Sequence, residues 1–352
     1  MIAKPERLLP GDTIALVSPA NVLPARFKKQ EEYSMSYLLN QGYKVKNYIN
    51  STDKPSPHAR AEKLMAAYND KETKAILPIC GGAQVYDILN LLDYDFISKN
   101  PKIICGYSFI GALLLAITER AKCVTFMGPH INFLNDRSTS RELLYTVASF
   151  WGMLSDDAMD KTGLSNYERA CLPKQSENGA LELTNIYKNS YKLKAARQDV
   201  SYVCLNEAST DESVVYAQSL DSMMSLDQHG ISLDLKQKLL LLDTIDDSFE
   251  AIQSKLNVLD SRYSLKDTAG IVFTSFTERT DKQSQNLDLT NKNKITRFLN
   301  EMSQTLQTDK LYYGFPMGHC RYKLTIPMGV KAKFDHLSGS LQFAESPFAK
   351  HR

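Results

Sequence analysis

The first third of the chain alternates short apolar runs with segments of helical spacing, and this alternation constrains the fold more than any other feature of the sequence. The apolar runs have the length of buried strands. The predicted order is strand 13–18, helix 27–40, strand 43–48, helix 57–68, strand 74–80, helix 85–92, strand 102–105, helix 109–120 and strand 123–126. Such alternation implies a parallel sheet with helices on both faces, which binds ligands beyond the carboxyl ends of its strands.

A length of 352 residues, 43% of them hydrophobic, is enough for two domains with their own cores. We predict an N-terminal domain over 1–160, a polar inter-domain connection over 161–200 and a C-terminal domain over 201–352. The predicted fold class is α/β: a parallel sheet flanked by helices, Rossmann-like or amidotransferase-like, with a second, mixed and β-rich α/β domain. In the second half we predict strands 202–205, 238–242, 270–273 and 324–326, a helix at 248–259 and an exposed loop at 277–293.

The charges are dispersed, and 42 basic against 40 acidic residues leave a net charge of +2. This balance gives no reason to expect a nucleic acid or a membrane as partner. The apolar runs are too short to cross a bilayer and the first residues form no apolar leader, so we expect a cytoplasmic protein. The six cysteines form no C-x-x-C pair and no G-x-G-x-x-G follows the first strand. We therefore expect neither a metal nor a cofactor.

A serine stands where the fourth predicted strand meets a helix, in the run Ile-Ile-Cys-Gly-Tyr-Ser-Phe-Ile-Gly-Ala over 103–112. Gly106 before Ser108 and Gly111 after it favour the sharp turn that raises a nucleophile above a sheet. The amino end of the following helix, at Phe109, offers free N–H groups to an oxyanion. Serine is also a favoured N-cap residue and G-x-S-x-x-G is not the usual G-x-S-x-G, so a helix cap at Ser108 is the alternative.

Gly81 and Gly82 follow the strand that precedes this one in the sequence. A glycine pair lets a substrate approach the backbone closely, and an N–H there would be a second oxyanion donor. The alternative is an ordinary strand-to-helix turn.

A serine nucleophile needs a general base, and His319 is the candidate that stands out among six histidines. It lies in a loop rich in glycine and proline, typical of a loop held by a rigid scaffold, although a structural histidine is the alternative. Asp243 ends a run of four leucines and is placed to hold the imidazole tautomer. Asp246 and Asp247 are substitutes for it, unless all three are solvated loop acids. Cys320 directly follows His319, and adjacent side chains rarely point at each other, which argues against a cysteine nucleophile.

Several blocks of the chain resemble the LD-carboxypeptidase family, which includes the microcin C self-immunity peptidases. The resemblance runs through most of the chain, in the family's order and with similar spacing. The blocks are Gly-Asp-Thr-Ile-Ala-Leu-Val-Ser-Pro at 11–19, Ile-Cys-Gly-Gly at 79–82, Leu-Asp-Tyr-Asp at 92–95, Asn-Pro-Lys at 100–102, Gly-Tyr-Ser at 106–108, Phe-Met-Gly-Pro at 126–129, Leu-Asp at 242–243, Gly-His at 318–319 and Ile-Pro-Met-Gly at 326–329.

The resemblance implies a catalytic triad of Ser108, His319 and Asp243. It implies oxyanion donors from the Phe109 backbone and from the turn at Gly81 and Gly82. The implied reaction is cleavage, without metal, of an amide next to a D-amino acid in cell-wall peptides. The resemblance also implies a homodimer in which the C-terminal domain supplies the acid and the histidine.

The chain departs from the family pattern around the expected site. Phe109 stands where the family typically has Asp, and Asp243 where it has Glu. The block Ala-Gln-Ser-Leu at 217–220 replaces a frequent Gly-Gly-Asn-Leu, and Val-Tyr-Asp at 85–87 replaces a small residue and often Arg. These changes indicate a shifted substrate or weakened catalysis.

Three functions are therefore compatible with the sequence. The first is a serine carboxypeptidase acting on a small peptide or peptide conjugate. The second is a catalytically impaired relative that binds such a peptide. The third is an amidase like the microcin immunity branch, acting on a peptidyl-nucleotide. A nucleotide site would favour an aromatic platform, but Trp151, the single tryptophan, lies in an apolar helical segment typical of core packing.

Overall fold

The structure is a computed structural model that describes residues 2–20, 28–49, 55–134, 141–155, 174–175, 181–183, 203–205, 209–244, 247–274, 291–320 and 322–349. These residues form one sheet of six strands and one of nine. The strands are β1 Thr13–Val17, β2 Lys44–Asn47, β3 Thr73–Pro78, β4 Ile103–Gly106, β5 Thr125–Met127, β6 Lys174–Gln175, β7 Leu181–Leu183, β8 Val203–Cys204, β9 Ser213–Ser219, β10 Lys238–Asp243, β11 Gly270–Thr274, β12 Leu311–Phe315, β13 Ile326–Met328, β14 Lys331–Asp335 and β15 Ser340–Phe343.

The α-helices are α1 Lys28–Asn40, α2 Pro57–Asn69, α3 Tyr94–Lys99, α4 Ile110–Ala116, α5 Ile131–Leu134, α6 Arg141–Leu154, α7 Leu220–Leu226, α8 Phe249–Tyr263 and α9 Lys292–Leu306. Ala83–Leu91, Asp227–His229 and Leu265–Asp267 form 3₁₀ segments, and Ile117–Ala121 continues α4 as a π-helical turn. Local chemistry fixes several of the helix starts. Ser56 accepts a hydrogen bond from the Ala59 N–H at 3.1 Å and precedes Pro57, the first residue of α2.

The first sheet has the order β13-β5-β4-β3-β1-β2, and its strands β1 to β5 are parallel. Strand β1, Thr-Ile-Ala-Leu-Val, is buried along its whole length, as expected for a parallel sheet covered by helices. Strand β2 lies at the edge, and its lysines keep that edge polar and protected from pairing with another chain.

Helix α4 lies between the two sheets and is buried along its entire length. It packs against β4 and β5 of the first sheet. On its other side it packs against β9 of the second sheet and against α7, the helix that follows β9. Because α4 directly follows the Ser108 turn, this packing fixes that turn in the middle of the molecule.

The second sheet has the order β6-β7-β15-β14-β9-β10-β11-β12-β8. Its central strands β9 to β12 are parallel, and the outer strands pair antiparallel. The four leucines of β10 are fully buried and end at Asp243. A first sheet whose strands β1 to β5 are parallel, followed by a second, mixed sheet, confirms the predicted fold class.

The structure differs from the predicted organisation in three places. Strands β6 and β7, within the predicted connection 161–200, extend the second sheet. Strand β13, from the predicted C-terminal domain, pairs antiparallel with β5 and thus completes the first sheet. The helix predicted near 85–92 is a 3₁₀ segment. The domain boundaries stay a prediction, and most of the predicted loop 277–293 lies outside the described residues, its last residues forming the start of α9.

Trp151 packs in the core, as predicted. It is 4% exposed, stacks on Tyr43 with ring centroids 5.1 Å apart, and donates a hydrogen bond from its indole nitrogen to the Tyr37 hydroxyl at 2.8 Å.

Candidate active site

Ser108 occupies the turn between β4 and α4 with a backbone φ of 58°. This left-handed conformation is rare for a residue other than glycine, and such strain concentrates at functional sites. The N-cap of α4 is Phe109, and it makes no side-chain capping bond, so Ser108 is not the helix cap. Within the described part of the chain, the Ser108 hydroxyl takes part in no hydrogen bond, and the residue is half-buried. Its side chain is thus held by the backbone turn rather than by a polar partner.

The two glycines on either side of Ser108 are required for different steric reasons. A side-chain carbon at Gly106 would lie 2.6 Å from Ile110 Cγ2, so the tight entry into α4 requires glycine there. The sequence interpretation assigned Gly111 to the same turn. In the structure a carbon at Gly111 would lie 2.2 Å from Gln218 Oε1, so this glycine makes room for a side chain of β9. The Gln218 Oε1 accepts a hydrogen bond from the Ser219 N–H at 2.6 Å.

The turn after β3 lies against the serine turn. A side-chain carbon at Gly81 would lie 3.6 Å from Ser108 Cβ and 3.8 Å from the Phe109 backbone nitrogen. Gly82 lies against Ala20, at the end of β1, with a corresponding distance of 3.1 Å. The carboxyl ends of three neighbouring strands therefore meet beside Ser108, where parallel sheets bind their ligands.

Asp243 and His319 form a direct pair. Asp243 is 0% exposed at the end of β10, and its Oδ2 lies 2.5 Å from His319 Nδ1. The same carboxylate accepts the His319 backbone N–H, at 3.2 Å to Oδ1, and the Thr274 hydroxyl at 3.3 Å. A buried carboxylate with several donors fixes the orientation of the imidazole, and with Nδ1 occupied the Nε2 atom is left for proton transfer.

The alternatives to Asp243 do not reach the histidine. Asp247 binds Lys255, with both carboxylate oxygens 2.7 Å from Nζ. Asp246 lies outside the described residues. The shorter side chain of Asp243 is accommodated because the His319 loop approaches closely. Gly318 has a φ of 71°, and a side-chain carbon there would lie 2.3 Å from Asp243 Oδ2.

Tyr107 connects the serine turn to the acid–histidine pair. Its ring centroid lies 5.1 Å from that of His319 and 4.4 Å from that of His130. Burial, with a smaller contribution from the Asp243 charge, raises the pKa of Tyr107 to about 12, so its hydroxyl is neutral at physiological pH. The structure thus places Ser108 next in sequence to a residue that contacts His319, and no direct hydrogen bond joins Ser108 to His319 among the described residues. Catalytic hydrogen bonds are often long without substrate.

His130 and Lys323 are two buried basic residues that the sequence interpretation missed. The Tyr107 N–H donates to His130 Nε2 at 3.4 Å. Burial, together with the nearby His319 and Lys323, lowers the pKa of His130 to about 3, so this imidazole is neutral at pH 7. Burial also lowers the pKa of Lys323, whose ammonium binds the Cys320 carbonyl and lies 4.8 Å from the Phe133 ring centroid. The position of His130 directly after Gly-Pro at the end of β5 was the available sequence signal.

No group of three or more His, Cys, Asp or Glu residues in the described part of the chain is arranged to hold a metal ion. Among the helices described here, none has both the length and the apolar character needed to span a bilayer.

Sequence profiles of one family match two regions of the chain. The LD-carboxypeptidase N-terminal domain matches residues 14–128, and the LD-carboxypeptidase C-terminal domain matches residues 214–334. YocD of Bacillus subtilis (strain 168), named as a carboxypeptidase, is 37% identical over 156 residues, which span 43% of this chain and only 47% of YocD. A protein of the same organism named as a probable murein peptide carboxypeptidase is 26% identical over 345 residues, 94% of this chain and 90% of that protein.

Solved structures of the same architecture extend over nearly the whole chain. An MccF-like protein from Bacillus anthracis str. Ames has a TM-score of 0.73 at 21% identity, covering 96% of this chain and 98% of that one. The microcin C7 self-immunity protein MccF in complex with aspartyl sulfamoyl adenosine has a TM-score of 0.75 at 19% identity, covering 99% and 100%. At these identities the likeness shows a shared fold.

Proposed function

The chain belongs to the LD-carboxypeptidase family, and from this premise we propose that it is a metal-independent serine carboxypeptidase that cleaves an amide bond next to a D-amino acid in cell-wall-type peptides. The observation that carries the proposal is the buried Asp243–His319 pair, which lies across Tyr107 from the strained serine turn. One relative, which is similar to this chain over most of its length, is named as a probable murein peptide carboxypeptidase. This name supports the proposed class of substrate.

In the proposed reaction the Ser108 hydroxyl attacks the scissile carbonyl carbon and His319 Nε2 takes its proton. Asp243 keeps Nδ1 of His319 protonated and stabilises the imidazolium that forms. The Phe109 N–H and an N–H of the Gly81–Gly82 turn donate to the oxyanion, each contributing about 10²–10³ in rate. His319 then protonates the leaving amine, and water hydrolyses the Ser108 ester by the same route in reverse.

The proposal is tested with a panel of acyl-L,D- and acyl-L,L-dipeptides followed by mass spectrometry. We expect cleavage of L,D-peptides by the wild type and its loss in Ser108→Ala. Ser261→Ala is the matched control, because Ser261 lies on α8 and its hydroxyl binds only the Val258 carbonyl among the described residues. A fluorophosphonate should label the wild type and Ser261→Ala but not Ser108→Ala. Unlabelled wild type that also leaves every peptide intact would support an impaired relative that only binds peptides.

A second candidate is an amidase acting on a peptidyl-nucleotide. It is supported by the similar structure of MccF in complex with aspartyl sulfamoyl adenosine, and by the exposed ring of Phe109, which offers a stacking surface beside Ser108. Release of an amino acid from an aminoacyl sulfamoyl adenosine, without cleavage of any L,D-peptide, distinguishes this candidate from the first.

We further propose that the protein is cytoplasmic and that it is a homodimer. Light scattering of the purified protein would test the oligomeric state.

A further inference from the structure

Lys323 carries a positive charge into the interior beside the acid–histidine pair. The residue is 6% exposed, and burial lowers the pKa of its ammonium, an effect that the Asp243 charge partly opposes. Within the part of the chain that the structure describes, Lys323 forms no ion pair with a carboxylate. A buried cation without a counter-ion is costly to maintain, so a lysine of this kind beside a catalytic pair is a candidate functional group.

The ammonium of Lys323 lies in a niche between two aromatic rings. Its nitrogen is 5.8 Å from the centroid of the Tyr107 ring and 4.8 Å from that of the Phe133 ring. Its one hydrogen bond among the described residues goes to the Cys320 carbonyl. Because an ammonium has three N–H donors, two of them are left for a ligand. Phe133 is half-buried, so the niche lies close to the molecular surface.

Hydrogen bonds fix the backbone that carries this ammonium. The Lys323 N–H donates to the Thr146 hydroxyl at 3.1 Å, and the Thr325 N–H donates to the Ser149 hydroxyl at 3.0 Å. Both acceptors lie on α6, so the segment after His319 is held against a helix at two points. A cation presented from a fixed backbone can bind a charged group of a substrate in one defined position.

The niche lies on the side of the site where the leaving group departs. Tyr107 directly precedes the nucleophile, and its ring contacts both the Lys323 ammonium and the His319 ring, whose centroid is 5.1 Å away. In the proposed reaction His319 protonates the amine of the leaving residue. A single carbon atom separates this amine from the carboxylate of the same residue. A counter-ion for that carboxylate must therefore lie near His319, as Lys323 does.

Two other described cations near the site already have carboxylate partners. Arg60, beneath the turn after β3, donates to three backbone carbonyls and to Asp87. Lys255, beyond the end of β10, binds both carboxylate oxygens of Asp247. Lys323 differs from both in having no acid of its own among the described residues.

We propose that Lys323 is a specificity-determining residue that binds the free carboxylate of the leaving residue and thereby restricts cleavage to the carboxyl end of a peptide. This inference rests on the proposed function, because the carboxylate belongs to the substrate that Ser108 attacks. A bound carboxylate supplies the missing counter-ion and accepts hydrogen bonds from the two remaining donors. A peptide that continues beyond the leaving residue offers a neutral amide instead and leaves the cation unpaired.

The test compares acetyl-L-lysyl-D-alanine with acetyl-L-lysyl-D-alaninamide, which differ only in the terminal carboxylate. We expect the wild type to prefer the carboxylate peptide in kcat/KM by about 30-fold or more. Lys323→Met and Lys323→Gln should each reduce this preference to about threefold or less. Gln can still donate to the Cys320 carbonyl, so this variant separates the charge from that hydrogen bond. The ratio of two substrates cancels any general loss of activity in a variant.

Lys102→Met is the matched control. Lys102 is another partly buried lysine whose pKa is lowered by burial, and its ammonium donates to the Asp70 and Thr73 carbonyls at 2.6 and 2.5 Å. It precedes β4, at the end of the strand opposite to Ser108. Removal of this charge should leave the preference for the carboxylate peptide within about threefold of the wild-type value, because distant sites act independently.

Equal cleavage of the two peptides by the wild type, or a wild-type preference in either Lys323 variant, overturns the assignment. Calorimetry of both peptides with Ser108→Ala separates it from the proposed function. If the wild type cleaves neither peptide, but Ser108→Ala binds the carboxylate peptide at least about tenfold more tightly than the amide and loses this difference with Lys323→Gln, the catalytic proposal fails and the carboxylate site stands. Equal affinity of Ser108→Ala for the two peptides contradicts the carboxylate site.

Discussion

His319 Nδ1 lies 2.5 Å from Asp243 Oδ2, and the same carboxylate accepts the backbone N–H of His319. The aspartate therefore holds both the ring and the main chain of the histidine. A carboxylate bound in this way, at 0% exposure, has no water to replace a lost partner.

Asp243→Asn should abolish most activity while leaving the fold intact. The amide has the shape of the carboxylate but cannot stabilise an imidazolium, and its NH₂ group favours the wrong tautomer of His319. We expect kcat to fall by about 10⁴-fold. Steady-state kinetics at saturating substrate measure this, and Asp247→Asn, which perturbs only a pair with Lys255, should retain activity within a few-fold. Comparable losses in the two variants would remove Asp243 from its proposed role.

Gly318→Ala should inactivate the enzyme, and Gly230→Ala provides an unusually close control. Both glycines have a φ of 71°, but a side-chain carbon at Gly318 would lie 2.3 Å from Asp243 Oδ2, whereas one at Gly230 would meet nothing within 4 Å. Each variant should lose about 1–2 kcal/mol of stability from the left-handed backbone. Only Gly318→Ala should also displace the acid, with a kcat/KM loss of about 10²-fold or more. Denaturant unfolding and kinetics separate the two effects, and full activity of Gly318→Ala would contradict the close approach.

The sequence predicts those parts of the fold and site that depend on local pattern. Strands β1, β3 and β4 each contain a short apolar run between helical segments, so their position and parallel pairing follow from this alternation. The turn at Ser108 follows from a glycine between a buried strand and a helix. Strand β9 and helix α9 were not predicted, although α9 has a clear apolar face around Ile295 and Phe298.

Features created by contacts between distant segments could not be predicted in this way. The rings of Tyr86, Phe109 and His229 come from three segments and contact one another, and no local pattern connects Tyr86 with His229. The same holds for Gly111, whose role depends on Gln218 lying opposite it in β9. The Gly-Pro before His130 marks only a strand end, and the convergence of strand ends places the imidazole against Tyr107.

Arg60→Met should destabilise the protein far more than removal of its acidic partner. Arg60 is 3% exposed and donates to the carbonyls of Pro19 and Gln84 as well as to Asp87. Loss of the guanidinium leaves buried carbonyls without a donor, at about 1–3 kcal/mol for each. Asp87→Asn should cost less than about 1 kcal/mol, because the Asp87 side chain is 48% exposed and the ion pair is weak in water. Thermal or urea unfolding measures both, and equal losses would show that the ion pair, not the carbonyl bonds, holds this turn.

Stability should decline below pH 6.5 because of His130. Burial lowers the pKa of His130 from 6.5 to about 3 in the folded protein, so between these values the unfolded chain binds the proton and the folded chain does not. Proton binding by the unfolded state alone makes the unfolding free energy fall as pH falls, with the full contribution present above pH 6.5. For this group the slope approaches about 1.4 kcal/mol per pH unit.

His130→Gln keeps a hydrogen-bond acceptor for the Tyr107 N–H and removes the titration. We expect the difference in unfolding free energy between the wild type and His130→Gln to shift against the wild type as pH falls from 6.5 toward 4, by about 1 kcal/mol or more. Carboxylates that titrate in the same range contribute equally to both proteins and cancel in the difference. The exposed His58 provides a surface position at which the same histidine-to-glutamine change serves as a control. A difference that stays constant over this range would mean that the His130 imidazole is protonated within the folded protein.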